Sequence, residues 1–265
     1  MTMTTKTLLR FLVLLLVVLT GCTVPAIIRN AGPPAECVIV LHGMGRTASS
    51  MRAMEKHLTQ AGYRVVNVDY PSTSKTIPQI STEAVAGAVS QCRRGKLQPI
   101  HFVTHSLGGI LVRQYLQHSA LPWQGKIVMI APPNKGSEVA DRLKDFFIYR
   151  WATGPVGQAL GTGPDSLPNQ LKPITAEIGI IAGSKSLNPL FSRYIPGPDD
   201  GKVAIARTKL AGMKDFIIVP SSHTFIMSHP TVLRQTVYFL GKGFFDHEPE
   251  QDEENQLSPR NREAL

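Results

Sequence analysis

The chain has 265 residues, 43% of them hydrophobic, and a formal charge of +9. That length and apolar content can bury one large core, which excludes a disordered chain, and three cysteines are too few for a disulfide-built scaffold. No basic run is interleaved with aromatic residues, so no nucleic-acid partner is expected.

The amino terminus reads apart from the rest. Lys6 and Arg10 precede the unbroken apolar run Phe11 to Leu19, which closes in Leu19-Thr20-Gly21-Cys22. A short apolar segment ending in small residues has the form of an export signal. It resembles a bacterial lipoprotein signal, residues 1–21, cleaved before Cys22. The resemblance implies a lipidated Cys22, a membrane partner held through several acyl chains, and a periplasm-facing place at the cell envelope. Thr23, where an aspartate would signal otherwise, implies the outer membrane. The alternative is an uncleaved anchor, for which the run is shorter than the ~20 apolar residues a span needs. Residues 22–36, with Gly32-Pro33-Pro34, read as a tether.

Val38 to Leu41 is a buried-strand run that ends in His42-Gly43-Met44-Gly45. Ser49 to Ala61 has helical spacing at Met51, Met54 and Leu58. Arg64 to Val68 is a second strand and Pro78 to Cys92 a second helix. Ile100 to Val103 then leads through Thr104-His105-Ser106-Leu107-Gly108-Gly109 into the apolar-periodic run Ile110 to Leu116, which reads strand, sharp turn, helix. Lys126 to Ile130, Ile178 to Ala182 and Asp215 to Val219 bring the strands to six, and Thr231 to Leu240 is a final helix. Short apolar strands alternating with helices predict an α/β fold, with a mostly parallel sheet covered on both faces.

The interval 136–172 is too long for a simple crossover. Phe146-Phe147-Ile148-Tyr149 and Trp151, followed by Gly154-Pro155-Val156-Gly157, predict a small cap: an amphipathic helix and then a Gly/Pro-rich loop. Its aromatic residues serve core packing, acyl-chain contact or both. Residues 246–265 are polar and net acidic, which predicts a disordered tail. Without the signal and this tail, the remaining body holds about twice as many basic as acidic residues, a surplus that suits either solubility or anionic phospholipid.

The strand, the x-Ser-x-Gly turn and the helix resemble a nucleophile elbow, with Thr104 where the first glycine usually stands. Together with the His42-Gly43 loop, Gly183, Asp200-Gly201 and His223, they resemble the bacterial lipase and esterase branch of the α/β-hydrolase fold. The resemblance spans roughly Val38 to Phe245. It implies a domain over 37–245 with a six-stranded sheet and a nucleophilic Ser106. The Leu107 N–H, and Met44 N–H from the loop after the first strand, would receive an oxyanion.

A serine hydroxyl needs an imidazole to take its proton and a carboxylate to fix that imidazole's tautomer. The chain order in this fold is serine, acid, histidine. His223 follows the last strand, and His229 is its rival. Asp200 matches the Asp-Gly-x-Val loop of many lipases, and Asp199 is the close alternative. Asp215 begins a strand at the wrong end, and Asp69 precedes the serine. Ala131-Pro132-Pro133-Asn134-Lys135-Gly136-Ser137 resembles a turn that shapes the pocket rim.

No cluster has metal-ligand spacing and no glycine loop cradles phosphate, so no cofactor and no metal are expected. The implied activity is hydrolysis of carboxylic esters, on lipid or other acylated substrates at the envelope. An acyltransferase, or a catalytically silent binding lipoprotein, would share the motifs. Cys37 and Cys92 both fall at the lower end of the sheet, as a disulfide or as two packed thiols.

Overall fold

The computed structural model describes residues 35–94, 98–120 and 125–248. The signal 1–21, Cys22, nearly all of the tether and residues 249–265 lie outside the described residues.

Six strands form one fully parallel sheet: β1 (Cys37–Leu41), β2 (Arg64–Val68), β3 (Ile100–His105), β4 (Lys126–Ile130), β5 (Glu177–Gly183) and β6 (Asp215–Val219), in the order β2-β1-β3-β4-β5-β6. The central strands are buried throughout; β1 is accordingly an unbroken apolar run, whereas β3 buries His101, Thr104 and His105 among its apolar residues. Successive side chains still point to opposite faces. Ile39, Leu41, Phe102, Met129 and Ile180 join one core, whereas Val38, Val40, Val103, Val128 and Ile181 join the other.

Helices close both faces. Helix α1 (Arg52–Gln60) supplies Met54 and Leu58 to the second core. Ile77–Ile80, the π-turn Ser81–Val85 and Ala86–Cys92 run on as one helix, α2, whose Ile77, Ile80, Val85 and Val89 belong to the first core. Thr76 and Gln79 form a capping box at its start, satisfying two N–H groups that a helix leaves open. Helix α3 (Leu107–Leu116) packs on the first core beside α2.

Cys37, first residue of β1, and Cys92, last residue of α2, are joined by a disulfide with Cα atoms 5.7 Å apart. It closes a separation of 55 residues, a loop whose closure lowers unfolded-state entropy by about 4 kcal/mol in the chain-entropy model.

The cap region is more helical than its composition suggests. Helix α4 (Glu138–Leu143) is followed by α5 (Phe147–Ala159), so Gly154-Pro155-Val156-Gly157 is a kinked helix where the sequence predicts a loop. Gly154 takes φ 55° and ψ −150°, which breaks the helix. Pro155 then starts a fresh turn, the one helical position where its missing N–H costs nothing. A side chain at Gly154 would stand 1.7 Å from the Thr73 carbonyl oxygen, so the kink presses against the loop after β2.

Helix α6 (Pro230–Lys242) brings Val232, Phe239 and Leu240 to the second core. Order continues past Phe245, where the sequence predicts the tail to begin. Gln235 donates from Nε2 to the Asp246 carbonyl (2.7 Å) and accepts the Asp246 N–H (2.9 Å). His247 Nε2 lies 2.9 Å from Asp215 Oδ2. Composition did not reveal these partners, because Gln235 and Asp215 reach the segment from distant elements.

Candidate active site

The chain crosses from β1 outward to β2 and then returns to β3 on the other side of β1. The carboxyl ends of β1 and β3 therefore flank a topological switch point, where crevices open in parallel sheets. Ser106 follows β3 directly. Its φ of 53° and ψ of −117° are strained for a residue with a side chain, and its N–H is held by the Ile130 carbonyl at 2.9 Å. The turn needs glycine on its inner side. A Cβ at Gly108 would lie 2.8 Å from the Leu41 carbonyl oxygen, so only glycine lets α3 start against β1.

The Ser106 hydroxyl lies 2.9 Å from His223 Nε2, and His223 Nδ1 lies 2.7 Å from Asp200 Oδ2. The carboxylate can only accept, so Nδ1 carries the proton and Nε2 is left to accept from Ser106. His223 and Asp200 are buried. Their loops are fastened to one another as well, since the His223 N–H donates to the Asp200 carbonyl at 2.9 Å.

The two aspartates divide the work. Asp200 Oδ1 accepts the N–H groups of Lys202 (3.0 Å) and Val203 (2.9 Å) and leaves Oδ2 for the imidazole. Asp199 accepts from the Gly201 N–H (2.6 Å) within its own turn and from the Ser192 hydroxyl (2.8 Å) at the end of the short helix before it. His229 precedes α6 and is not the imidazole that meets Ser106. Asp69 accepts the Ala48 N–H at 2.9 Å.

Leu107 opens α3, and the first N–H groups of a helix have no intrahelical acceptor. Met44 borders the same cavity as Ser106 and His223. Its loop is held by Gly45 N–H donating to the Ser72 hydroxyl at 3.0 Å, and by the Tyr70 hydroxyl donating to the His42 carbonyl. Tyr70 also stacks on His42, with centroids 3.9 Å apart.

The cavity has a volume of about 280 Å³ and an apolar wall that includes Val139, Leu143, Leu160, Phe191 and Val203. Pro133 and Ser137 of the turn after β4 border it too. Tyr149, Ala152 and Thr153, at i, i+3 and i+4 spacing on α5, form part of its roof. Phe147 and Trp151 lie on the other side of that helix, 79% and 86% exposed. Among the described residues, no three His, Cys, Asp or Glu side chains converge where a metal could sit.

The sequence places His105 inside the elbow motif and assigns no role to Arg46 or Lys202. His105 is buried and donates from Nε2 to the His223 carbonyl at 3.0 Å. Burial, then the nearby His223, press its pKa well below the ordinary value, with the hydrogen bond to the His223 backbone working the other way. Arg46 and Lys202 border a second small hollow with Ser106 and His223. Their one signal in the sequence was position: each stands within a few residues of a motif.

A parallel sheet with a serine elbow at its switch point, facing a histidine and an acid from later loops, defines the α/β-hydrolase class. The chain belongs to the alpha/beta hydrolase family, whose model matches residues 38–212. A 2-hydroxy-6-oxononadienedioate/2-hydroxy-6-oxononatrienedioate hydrolase of a Pseudomonas species is 29% identical over 118 residues, which span 41% of either chain. The chain thus matches about two-fifths of that relative's length. Among solved structures, the mature lipase of Bacillus licheniformis superposes with a TM-score of 0.68 at 17% identity, covering 78% of this chain and 93% of the lipase. A phospholipase of Legionella pneumophila superposes with a TM-score of 0.58 at 18% identity, covering 78% and 62%. At such identities these likenesses establish the shared fold.

Proposed function

We propose that this protein is a serine hydrolase of carboxylic esters, acting on lipid or other acylated substrates at the bacterial cell envelope, where an acylated Cys22 holds it. The observation that carries the reading is the His223 ring, set 2.7 Å from Asp200 and 2.9 Å from Ser106. Ser106 attacks the acyl carbonyl as His223 takes its proton. The Met44 and Leu107 N–H groups receive the developing oxyanion, and Asp200 keeps the imidazole oriented and stabilises its charged form. His223 then protonates the leaving alcohol, and water resolves the acyl-enzyme by the same route.

Two features favour a lipid substrate. The cavity beside Ser106 is walled mainly by apolar side chains, which suits an acyl chain. On the cap, Phe146, Phe147, Ile148 and Trp151 are exposed together, a cluster larger than scattered surface residues explain and of the kind that meets a lipid surface. Both structural neighbours described above bear the names of lipid-cleaving enzymes, in keeping with this reading.

A fluorophosphonate probe tests it. The wild-type protein is expected to be labelled at Ser106, and Ser106→Ala to lose both labelling and hydrolysis across a chain-length series of esters while keeping its fold. Undiminished hydrolysis by Ser106→Ala overturns the mechanism. Mass spectrometry of the mature amino terminus reads the anchor, and a chain that starts anywhere but at an acylated Cys22 overturns that part.

A further inference from the structure

Two cations, Arg46 and Lys202, border a hollow beside Ser106. Arg46 comes from the loop after β1, three residues past Gly43, and Lys202 from the Asp-Gly-x-Val turn that carries Asp200. Arg46 Nη2 donates to the Thr224 carbonyl at 3.4 Å, one residue beyond His223. The Lys202 backbone is fixed by its N–H bond to Asp200 Oδ1, and its carbonyl accepts from the Ser137 hydroxyl at 2.7 Å. Both residues border one hollow of about 40 Å³ together with Gly43, Met44, Ser106 and His223. Among the described residues, neither forms an ion pair with an aspartate or glutamate.

The two acids of the Asp-Gly-x-Val turn are already committed. Asp200 is shared among His223 and two backbone N–H groups, and Asp199 is held by the Gly201 N–H and the Ser192 hydroxyl. Lys202 is exposed, yet crowding by protein atoms, then the Arg46 charge, lowers its pKa, against the pull of Asp200. Two like charges held this close to a low-dielectric site repel each other, and an anion between them relieves that repulsion.

The apolar cavity and the cationic hollow meet at the reacting atoms. Met44, Ser106, Lys202 and His223 border both. An ester bound with its carbonyl at Ser106 therefore divides between the two: the acyl chain enters the apolar side, and the alcohol half faces Arg46 and Lys202. We propose that the site selects esters whose alcohol half carries an anionic oxygen group, a phosphate or a carboxylate, through Arg46 and Lys202. The proposal rests on the ester-hydrolase reading above and adds the class of leaving alcohol to it. A phosphate or carboxylate placed there accepts charge-assisted hydrogen bonds, which a neutral alcohol cannot match.

The test uses three esters with the same acyl chain: para-octanoyloxybenzoate, para-octanoyloxyphenyl phosphate and the neutral para-octanoyloxybenzamide. The ratio of kcat/KM for each anionic ester to that for the neutral one is measured in the wild-type protein, Arg46→Gln and Arg46→Gln/Lys202→Gln. Intrinsic leaving-group reactivity cancels when these ratios are compared between variants. The ratio for at least one anion is expected to fall about tenfold in the double variant, as the loss of charge-assisted hydrogen bonds at a partly solvated site implies. Added salt should shrink it in the wild type, and the larger fall identifies phosphate or carboxylate as the preferred group. If all three esters are cleaved but the variants leave both ratios unchanged, the hydrolase reading stands and selection by these cations is overturned. If none is cleaved and fluorophosphonate leaves Ser106 unlabelled, the hydrolase reading fails and this proposal with it.

Discussion

His105 donates from its Nε2 to the backbone carbonyl of His223 at 3.0 Å, so the residue next to the elbow serine holds the loop that brings the imidazole to it. The two rings lie 5.0 Å apart. This contact requires a proton on His105 Nε2, and burial keeps the ring neutral, as the Nε2–H tautomer. The same condition recurs elsewhere in the core. His42 gives its Nδ1 proton to the Gly43 carbonyl at 2.9 Å, and His101 accepts the Lys126 N–H on Nδ1 at 2.9 Å.

Acid should therefore destabilise this fold early. A second proton on His105 would fall on Nδ1, a buried nitrogen with no acceptor; on His42 it would fall on buried Nε2, where Asp69 Oδ1 at 3.6 Å offsets the burial only in part. On His101 it would face an N–H donor. All three have pKa values below the ordinary 6.5, with burial the leading cause. Between the lowered folded values and 6.5, the unfolded chain binds protons that the folded chain refuses. Stability is thus fully present above about pH 6.5 and is lost as pH falls through that window, by up to about 1.4 kcal/mol per pH unit for each group. The urea midpoint measured from pH 8 to pH 5 should fall on the acid side, and less steeply in His105→Gln. A flat profile would show that the buried imidazoles do not govern acid stability.

Asp200→Asn should cost far more activity than Asp199→Asn. Asp200 Oδ1 already accepts two backbone N–H groups, so an amide there keeps its oxygen on that side and turns its NH₂ toward His223. Nδ1 must then accept, the proton moves to Nε2, and the ring can no longer take the Ser106 proton. In another triad enzyme the same change lowered kcat by ~10⁴. At position 199 an amide oxygen can still accept from Gly201 and Ser192, so a loss within a few-fold is expected. Steady-state kinetics on one ester decide it, and the reverse ranking would rule out Asp200 as the orienting acid.

The sheet was legible because its strands carry apolar runs, of which Val38-Ile39-Val40-Leu41 is unbroken. The elbow was legible because strand, turn and helix lie next to one another in sequence. The partners of Ser106 were not readable from spacing, since His223 lies 117 residues away; chain order and a family resemblance singled them out. The kink at Gly154-Pro155 was misread because those residues usually end helices, and here the second piece restarts with proline in its first turn. Asp246 and His247 look like tail by composition, and only the fold brings Gln235 and Asp215 to them. Arg46 and Lys202 belong to no motif of their own. A linear sequence does not show that two loops carry them to one hollow.

Arg113 was likewise invisible, and the structure gives it a firm expectation. It lies on α3, 2% exposed, with no carboxylate partner among the described residues. Nη1 donates to the Asn134 carbonyl (2.8 Å), and Nη2 to the carbonyls of Pro168 (3.0 Å) and Leu171 (2.9 Å). One guanidinium thus ties the turn after β4 and the end of the cap to the elbow helix, while burial pulls its pKa down to about 10. Arg113→Met fills much of the volume and removes the buried charge, but it strands three carbonyl oxygens. Each unsatisfied acceptor costs about 1–3 kcal/mol, offset in part by the relief of burying no charge, so a net loss of about 3 kcal/mol is expected. Urea denaturation measures that loss, and limited proteolysis should find new cleavage in the cap between Gly161 and Lys172. A variant within about 0.5 kcal/mol of wild type, the scale of an ordinary surface change, and with an unaltered digestion pattern would mean that these carbonyls do not depend on the arginine.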